Sequence, residues 1–372
     1  MAEPHSKPQD EMTSNPFHPT RFQSAQKVLD SQQLDSILFT SLENIRYLCG
    51  FSGSDGALVL THEALFFLTD SRYWTQADEE VIGAQIVHYK KKIDGIASLL
   101  SDLRLKRIGF ESASVTLSLH RALSEKLLDG PTLLPLDSEI RPLRVVKDDQ
   151  ELRSIRRAID ISSKAFQHMM SLIREGVVEN EMAFEMEFFM KRNGAESLAF
   201  DIIVASGKRS ALPHGKATEK RIEKGDLILV DFGSKEHGYH SDETCTVVCG
   251  SPSPEQKKIF QIVKEAHDKA IEWVRPGIPF SEVDAAARDH IRNAGYGEYF
   301  GHGLGHGVGL AVHEDPTVNA DNKGIVQEGM VFTVEPGIYI PNWGGVRLED
   351  MVRVTSQGVE VLTHTPKELR VI

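Results

Sequence analysis

Residues 301–315 read Gly-His-Gly-Leu-Gly-His-Gly-Val-Gly-Leu-Ala-Val-His-Glu-Asp, and no other stretch limits the fold as strongly. Five glycines alternate with other residues from Gly301 to Gly309, and each would cost about 1 kcal/mol inside a helix. His302 and His306 have the i, i+4 spacing of helical zinc sites, but that glycine content excludes a helix. The backbone must run extended and bare, so that other groups can approach it closely. Neither GxGxxG nor GxxxxGK[ST] aligns to the run, which excludes the common nucleotide loops. Taken alone, it would also fit a glycine-rich surface loop carrying incidental histidines.

Two acidic hairpins flank it. Leu227-Ile-Leu-Val-Asp-Phe-Gly233 reads as a buried strand ending in an acid, and Tyr239 to Val248 returns. With the tip between Glu236 and His237, Asp231 and Asp242 become cross-strand partners, about 5 Å apart at Cβ. Met330 to Ile340 and Val346 to Val352 repeat the device around Pro341–Gly345, with Glu335 opposite Glu349 when Asn342 is the tip. Pro336 has no N–H to donate and marks an edge or bulge beside Glu335. Facing like charges destabilise a hairpin unless something positive lies between them. Two Asp, two Glu and one imidazole suit a pair of divalent cations such as Mn, Co, Zn or Fe, rather than a thiolate-selected metal. A water held by two such ions becomes a nucleophile near neutral pH, with a carbonyl or phosphoryl group as its target.

At 372 residues the chain has room for two domains. Residues 1–18 are polar and proline-bearing and read as a disordered lead-in. Residues 19–145 alternate helix-like stretches (around Val28 and Leu29, 93–104 and 116–128) with strands near Ser36–Thr40, Gly56–Leu60, Leu65–Leu68, Gln85–Tyr89 and Arg107–Phe110. This pattern predicts an α/β domain on a mixed sheet. Asp70-Ser-Arg-Tyr73 reads there as a solvated strand end. Pro142 and the charged stretch around it mark a boundary, and residues 146–372 form the second domain. A long helix starts near Asp149, with Leu152, Ile155, Ile159, Ser162, Phe166, Met169 and Ile173 as its buried stripe. A second helix covers 180–192, Phe200–Ser206 is strand-like, and the turn-rich loop Ser210–Gly215 carries His214. The net charge of −12 argues against nucleic acid as a partner. No apolar run approaches the roughly 18 residues of a membrane span. Cys49, Cys245 and Cys249 form no CxxC pair, so they read as small core side chains in a reducing, cytoplasmic protein.

The motifs Pro213-His-Gly, Val230-Asp-Phe-Gly, Ser241-Asp-Glu-Thr, Gly301 to Leu310, Val312-His-Glu, Thr333-Val-Glu-Pro-Gly and Gly345-Val-Arg-Leu-Glu-Asp together resemble the pita-bread metallopeptidases, above all the Xaa-Pro peptidases of the prolidase and aminopeptidase P type. Asn44 to Phe51 and Asp70 to Tyr73 are similar, more loosely, to the creatinase-type N-terminal domain. The resemblance implies an α/β creatinase-like domain followed by an α+β pita-bread catalytic domain, two divalent ions with manganese favoured, proline-containing peptides as substrates, and a homodimer. It implies that Asp231 chelates one ion, that Asp242 and Glu349 bridge both, and that His306 and Glu335 complete the other. Glu335 would also take the proton of the attacking hydroxide. His214 and His313 would hold the substrate and its developing charge, His302 would line the pocket, and Arg347 would orient the acids or the substrate. The family often has arginine where Cys245 stands, so a supporting contact is either missing here or supplied from elsewhere, Arg347 being one source. No arginine lies between His313 and Glu335 to meet a dipeptide carboxylate, which leaves dipeptidase and aminopeptidase activities unseparated. A creatinase-like amidinohydrolase and a non-catalytic peptide-binding module are the alternatives, and the complete acid and histidine set argues against both.

Overall fold

The computed structural model describes residues 19–127 and 130–372. The expected lead-in, residues 1–18, lies outside the described residues. The chain divides into two compact units between Leu143 and Arg144.

In the first unit, α1 (Pro19–Gln32), β1 (Ser36–Phe39), α2 (Leu42–Cys49), β2 (Ala57–Thr61), β3 (Leu65–Thr69) and α3 (Trp74–Glu80) come first. β4 (Ala84–His88), α4 (Lys92–Asp102), β5 (Arg107–Glu111), α5 (Leu117–Lys126) and β6 (Thr132–Leu136) follow. The described strands form one sheet in the order β4-β3-β2-β1-β5-β6. β1, β2 and β3 pair antiparallel and the outer pairs are parallel, which is the expected mixed sheet. The run that reads as a solvated strand end follows β3, and there Arg72 forms exposed ion pairs with Asp70 and Asp55. Two short helices, α2 and α3, have no counterpart in the sequence reading. α2 is anchored by the Ser41 hydroxyl, which accepts from Asn44 N, and by Glu111, which accepts from the Ser41 backbone.

The second unit opens with α6 (Asp149–Leu172) and α7 (Glu179–Arg192). Asp148 caps α6 with a reciprocal Glu151 contact, and the expected stripe from Leu152 to Met169 is buried. β7 (Ser197–Leu198), β8 (Ile203–Ser206), β9 (Leu227–Phe232), β10 (Ser234–Glu236), β11 (Tyr239–His240) and β12 (Glu243–Val248) lead to α8 (Pro254–Trp273) and α9 (Phe280–Asn293). The chain ends through β13 (Gly305–Gly307), β14 (Glu314–Val318), β15 (Val331–Val334), β16 (Gly337–Ile340), β17 (Gly344–Arg347), β18 (Asp350–Thr355), β19 (Gly358–Val361) and β20 (Arg370–Val371). Its two larger sheets run β20-β12-β9-β8 and β14-β13-β15-β18-β19. α6 and α7 pack on the first through Phe166, Met186, Val230 and Val247, and α8 and α9 on the second through Val263, Ala287, Phe332 and Val352. The three cysteines are free and buried, as expected of core side chains. No helix among the described residues is long and apolar enough to cross a membrane.

The first hairpin departs from expectation. Asp231 pairs with Thr244, not with Asp242, and Lys235 pairs with His240. The tip therefore lies between His237 and Gly238, which take φ of 46° and 80°. Two consecutive positive φ values make the tight turn that matches the strand twist. The register moves by two residues, so the parity of side-chain direction is kept. Asp231 and Asp242 become diagonal neighbours on the same face. The second hairpin holds its expected register but is split into two ladders. Val334 pairs with Asp350 on one side of the break and Gly337 with Arg347 on the other, so Glu335 stays opposite Glu349.

Candidate metal centre

The break at Pro336 frees Glu349 from the ladder, and its N–H donates to Thr244 O at 3.1 Å. That bridge joins the two sheets. Asp231, Thr244, Glu349 and Glu335 thus lie in one row across four strand segments, and Glu335 N donates to Leu304 O at 2.8 Å to tie in the Gly-His run. The run is extended, with β13 at its centre, as its glycines require. A Cβ on Gly305 would stand 2.0 Å from Thr333 O, and one on Gly307 2.2 Å from Asp315 O. Bare backbone is what lets His306 lie over the acid row.

His306 Nε2 is 3.4 Å from Glu335 Oε1 and 3.6 Å from Asp242 Oδ2. Ligand atoms of Asp242, His306 and Glu349 fall within 4.8 Å of one another. Burial, with help from the neighbouring His313, pushes the His306 imidazole down to about 4, so it is neutral near pH 7. Its Nδ1 is 3.1 Å from the Gly307 carbonyl, which can only accept, so the proton sits on Nδ1 and the Nε2 lone pair faces the carboxylates. Burial also raises all four carboxyls: Glu335 to about 8, Asp231 above its usual range, and Asp242 and Glu349 well above theirs. For Asp242 and Glu349 the neighbouring acids add to that rise. Asp231 Oδ1 is buried and has no hydrogen-bond partner. A lone pair aimed at acids, an orphaned carboxylate oxygen and crowded buried carboxyls all call for a cation, so these side chains fit divalent metal.

The structure also identifies the supports. Arg347, 3% exposed, donates through Nη2 to Asp231 Oδ2 at 2.5 Å, through Nε to Thr244 Oγ1 at 3.1 Å and through Nη1 to Tyr339 OH at 2.9 Å. Of the two tasks expected for Arg347, the geometry thus favours orienting an acid. Thr244 Oγ1 donates to Glu349 Oε2 at 2.6 Å, and Thr333 Oγ1 donates to Glu335 Oε1 at 3.3 Å. Tyr339 OH lies 3.1 Å from His302 Nε2, while His302 Nδ1 faces Gly303 O at 2.7 Å. Thr244, Thr333 and Tyr339 escape the sequence reading. Strand alternation alone would have put Tyr339 on the face of Glu335, four residues earlier.

Two family models match this chain: Metallopeptidase family M24 over residues 153–356, and the Creatinase/Prolidase N-terminal domain over residues 21–146. The chain belongs to metallopeptidase family M24. Among M24 relatives, a Xaa-Pro dipeptidase of Pyrococcus horikoshii is 42% identical over 346 residues, covering 92% of this chain and 96% of that protein. The solved structure of a Xaa-Pro dipeptidase from Bacillus anthracis matches with TM-score 0.92 at 42% identity, covering 95% of this chain and 99% of that one. An X-Pro aminopeptidase from Thermotoga maritima matches with TM-score 0.86 at 40% identity, covering 93% and 100%.

In this M24 chain the acid row forms one wall of a cavity of about 510 Å³. Asp231, Asp242, His306, Glu335 and Glu349 line it together with His214, His302, His313 and Arg347. Every residue expected from the sequence to hold metal or substrate therefore reaches one space. Phe200, Lys216 and Asn319, which the sequence reading passed over, also line it. His214 and His313 are exposed at the cavity wall, and burial of its ring lowers the basicity of His313. Cys245 is not in the wall. It points to the opposite side of β12, into the core beneath α6 and α7.

Proposed function

We propose that this chain hydrolyses the Xaa-Pro bond of short peptides, with two divalent ions held by Asp231, Asp242, His306, Glu335 and Glu349. Asp231 is read as belonging to one ion, His306 and Glu335 to the other, and Asp242 and Glu349 to both. The observation that carries this reading is the convergence of four buried or half-buried carboxyls and a neutral imidazole on one cavity wall. The relatives named as Xaa-Pro peptidases support the substrate class. When bound, such ions supply Lewis acidity and lower the pKa of water.

The chain's own groups do the rest. Glu335, oriented by the Thr333 hydroxyl, takes the proton of the attacking water and returns it to the departing prolyl nitrogen. His313, neutral near pH 7, offers an N–H to the carbonyl oxygen as charge gathers there, with His214 on the same cavity wall. Arg347 favours the ionised form of Asp231 against the cost of burial and fixes its position, and Tyr339 holds His302 in its rotamer. The oxygen-rich donor set favours manganese. The reading extends to a homodimer in the cytoplasm, which light scattering and fractionation test.

The decisive experiment assays Xaa-Pro and Xaa-Pro-Yaa-Yaa peptides with chelated protein, then with added Mn²⁺. Activity should appear with metal and fall at least about 100-fold in Glu349→Ala. Full activity in that variant, or in chelator, would refute the assignment. The ratio between the two substrates separates dipeptidase from aminopeptidase.

A further inference from the structure

The acid row has a rear side. Side chains alternate along a strand, so Asp242 and Thr244 face the cavity while Glu243 and Cys245 face away, and Glu349 and Asp350 split in the same manner. On the rear, Glu243 and Asp350 are buried, and Lys367, from the segment before β20, places its ammonium between them. Lys367 Nζ is 2.5 Å from Glu243 Oε1, 3.0 Å from Asp350 Oδ1 and 3.7 Å from Cys245 Sγ. The other lone pairs are also met. Ser163 Oγ donates to Glu243 Oε2 at 3.2 Å, Thr365 N to Glu243 Oε1 at 3.1 Å, and Thr363 Oγ1 to Asp350 Oδ1 at 2.5 Å. His267 Nε2 lies 3.1 Å from Asp350 Oδ2. Burial works against the charged lysine, but the neighbouring Cys245, Glu243 and Asp350 outweigh it and favour the ammonium.

This ammonium sits at the seam between the two larger sheets. β12 belongs to one and β18 to the other, and the backbone joins them there through the isolated Thr244–Glu349 bridge. Asp242 immediately precedes Glu243, and Glu349 immediately precedes Asp350. We propose that Lys367 is a positioning residue for the metal centre: by tying Glu243 to Asp350 from behind, it fixes the spacing of Asp242 and Glu349 in front. The proposal rests on the assignment of these two acids as shared ligands. Ligand spacing tolerates only about 0.5 Å of drift, so a seam with one backbone bridge needs a second tie.

The test uses the full chain, stripped of metal with chelator and titrated calorimetrically with Mn²⁺. Four proteins are compared: wild type, Lys367→Met, Lys367→Arg, and Lys367→Met combined with Cys245→Arg. The 3.7 Å contact puts position 245 within reach of the same two carboxylates, so the double variant moves the cation to the adjacent strand. Circular dichroism checks folding. Lys367→Met should fold but bind Mn²⁺ at least about tenfold more weakly, and kcat should fall with KM nearly unchanged. The double variant and Lys367→Arg should return to within about threefold of wild type. Wild-type Mn²⁺ affinity in Lys367→Met overturns the proposal, as does a folded double variant that binds no better than Lys367→Met. If Lys367→Met does not fold, the double variant decides alone. A set in which no variant folds assigns Lys367 to folding only and also overturns it. Failure of the wild type itself to bind Mn²⁺ would instead sink the metal assignment.

Discussion

Thr244 shows how a residue with no charge can decide the behaviour of charged ones. Its hydroxyl accepts from Arg347 Nε at 3.1 Å and donates to Glu349 Oε2 at 2.6 Å, so one oxygen orients a cation and an acid from opposite sides. Thr244→Val keeps the shape and removes the hydroxyl, leaving a buried guanidinium N–H and a carboxylate oxygen each short of a partner. Such losses cost about 1–3 kcal/mol each. The expected outcome is a folded protein whose Mn²⁺ affinity is down roughly tenfold, read by calorimetric titration. Unchanged affinity would mean that Arg347 holds the row without it. The importance of Thr244 could not be read from the chain, because its partners lie more than a hundred positions away. The acids were legible for the opposite reason: each lies in or directly beside an apolar strand, where an unpaired charge makes no sense unless a cation is near.

Among the elements read from the sequence, legibility followed the strength of the local signal, while α8 and α9 were not read at all. Helix α6 carries its own cap and a continuous apolar stripe, and the second acidic hairpin has its turn centred where Pro341 to Gly345 place it. The first hairpin was misplaced by two residues because its tip depends on His237 accepting a positive φ, a weak sequence signal. The face survived the error because the period of a strand is two. Helices α2 and α3 span eight and seven residues, too short for a periodic pattern to declare itself. The glycine run was legible as bare backbone, but not which glycines matter. Gly305→Ala would drive a methyl into Thr333 O, 2.0 Å away, and lift β13 off β15, whereas nothing lies within 4 Å of a Cβ on Gly301. Gly305→Ala should therefore lose Mn²⁺ binding by more than about tenfold while Gly301→Ala stays within about twofold. Equal behaviour of the two variants in metal titration would show that the run's approach to β15 does not place His306.

For the whole molecule, the cavity wall couples stability to pH with a sign that metal should reverse. Burial holds the Glu335 carboxyl at about 8 against an ordinary 4.5, and Asp242 and Glu349 shift in the same direction. In metal-free protein the fold therefore keeps protons that the unfolded chain has given up. That contribution is complete below the ordinary carboxyl range and is lost as pH rises through about 8. Metal-free protein should melt lower at about pH 8 than at about pH 5.5. With bound cations the ligands must be deprotonated, so proton and metal compete and the affinity rises with pH. Mn²⁺ at about 100 times its Kd adds about 2.7 kcal/mol, which raises the melting midpoint by roughly 3–6 °C at about pH 8 and by less at about pH 5.5. Calorimetry at the two pH values, with chelator and with Mn²⁺, reads both signs. A metal-free protein that gains stability between them would mean that the four carboxyls are already neutralised by something other than a metal ion, and Arg347, whose guanidinium contacts Asp231, would be the first place to look.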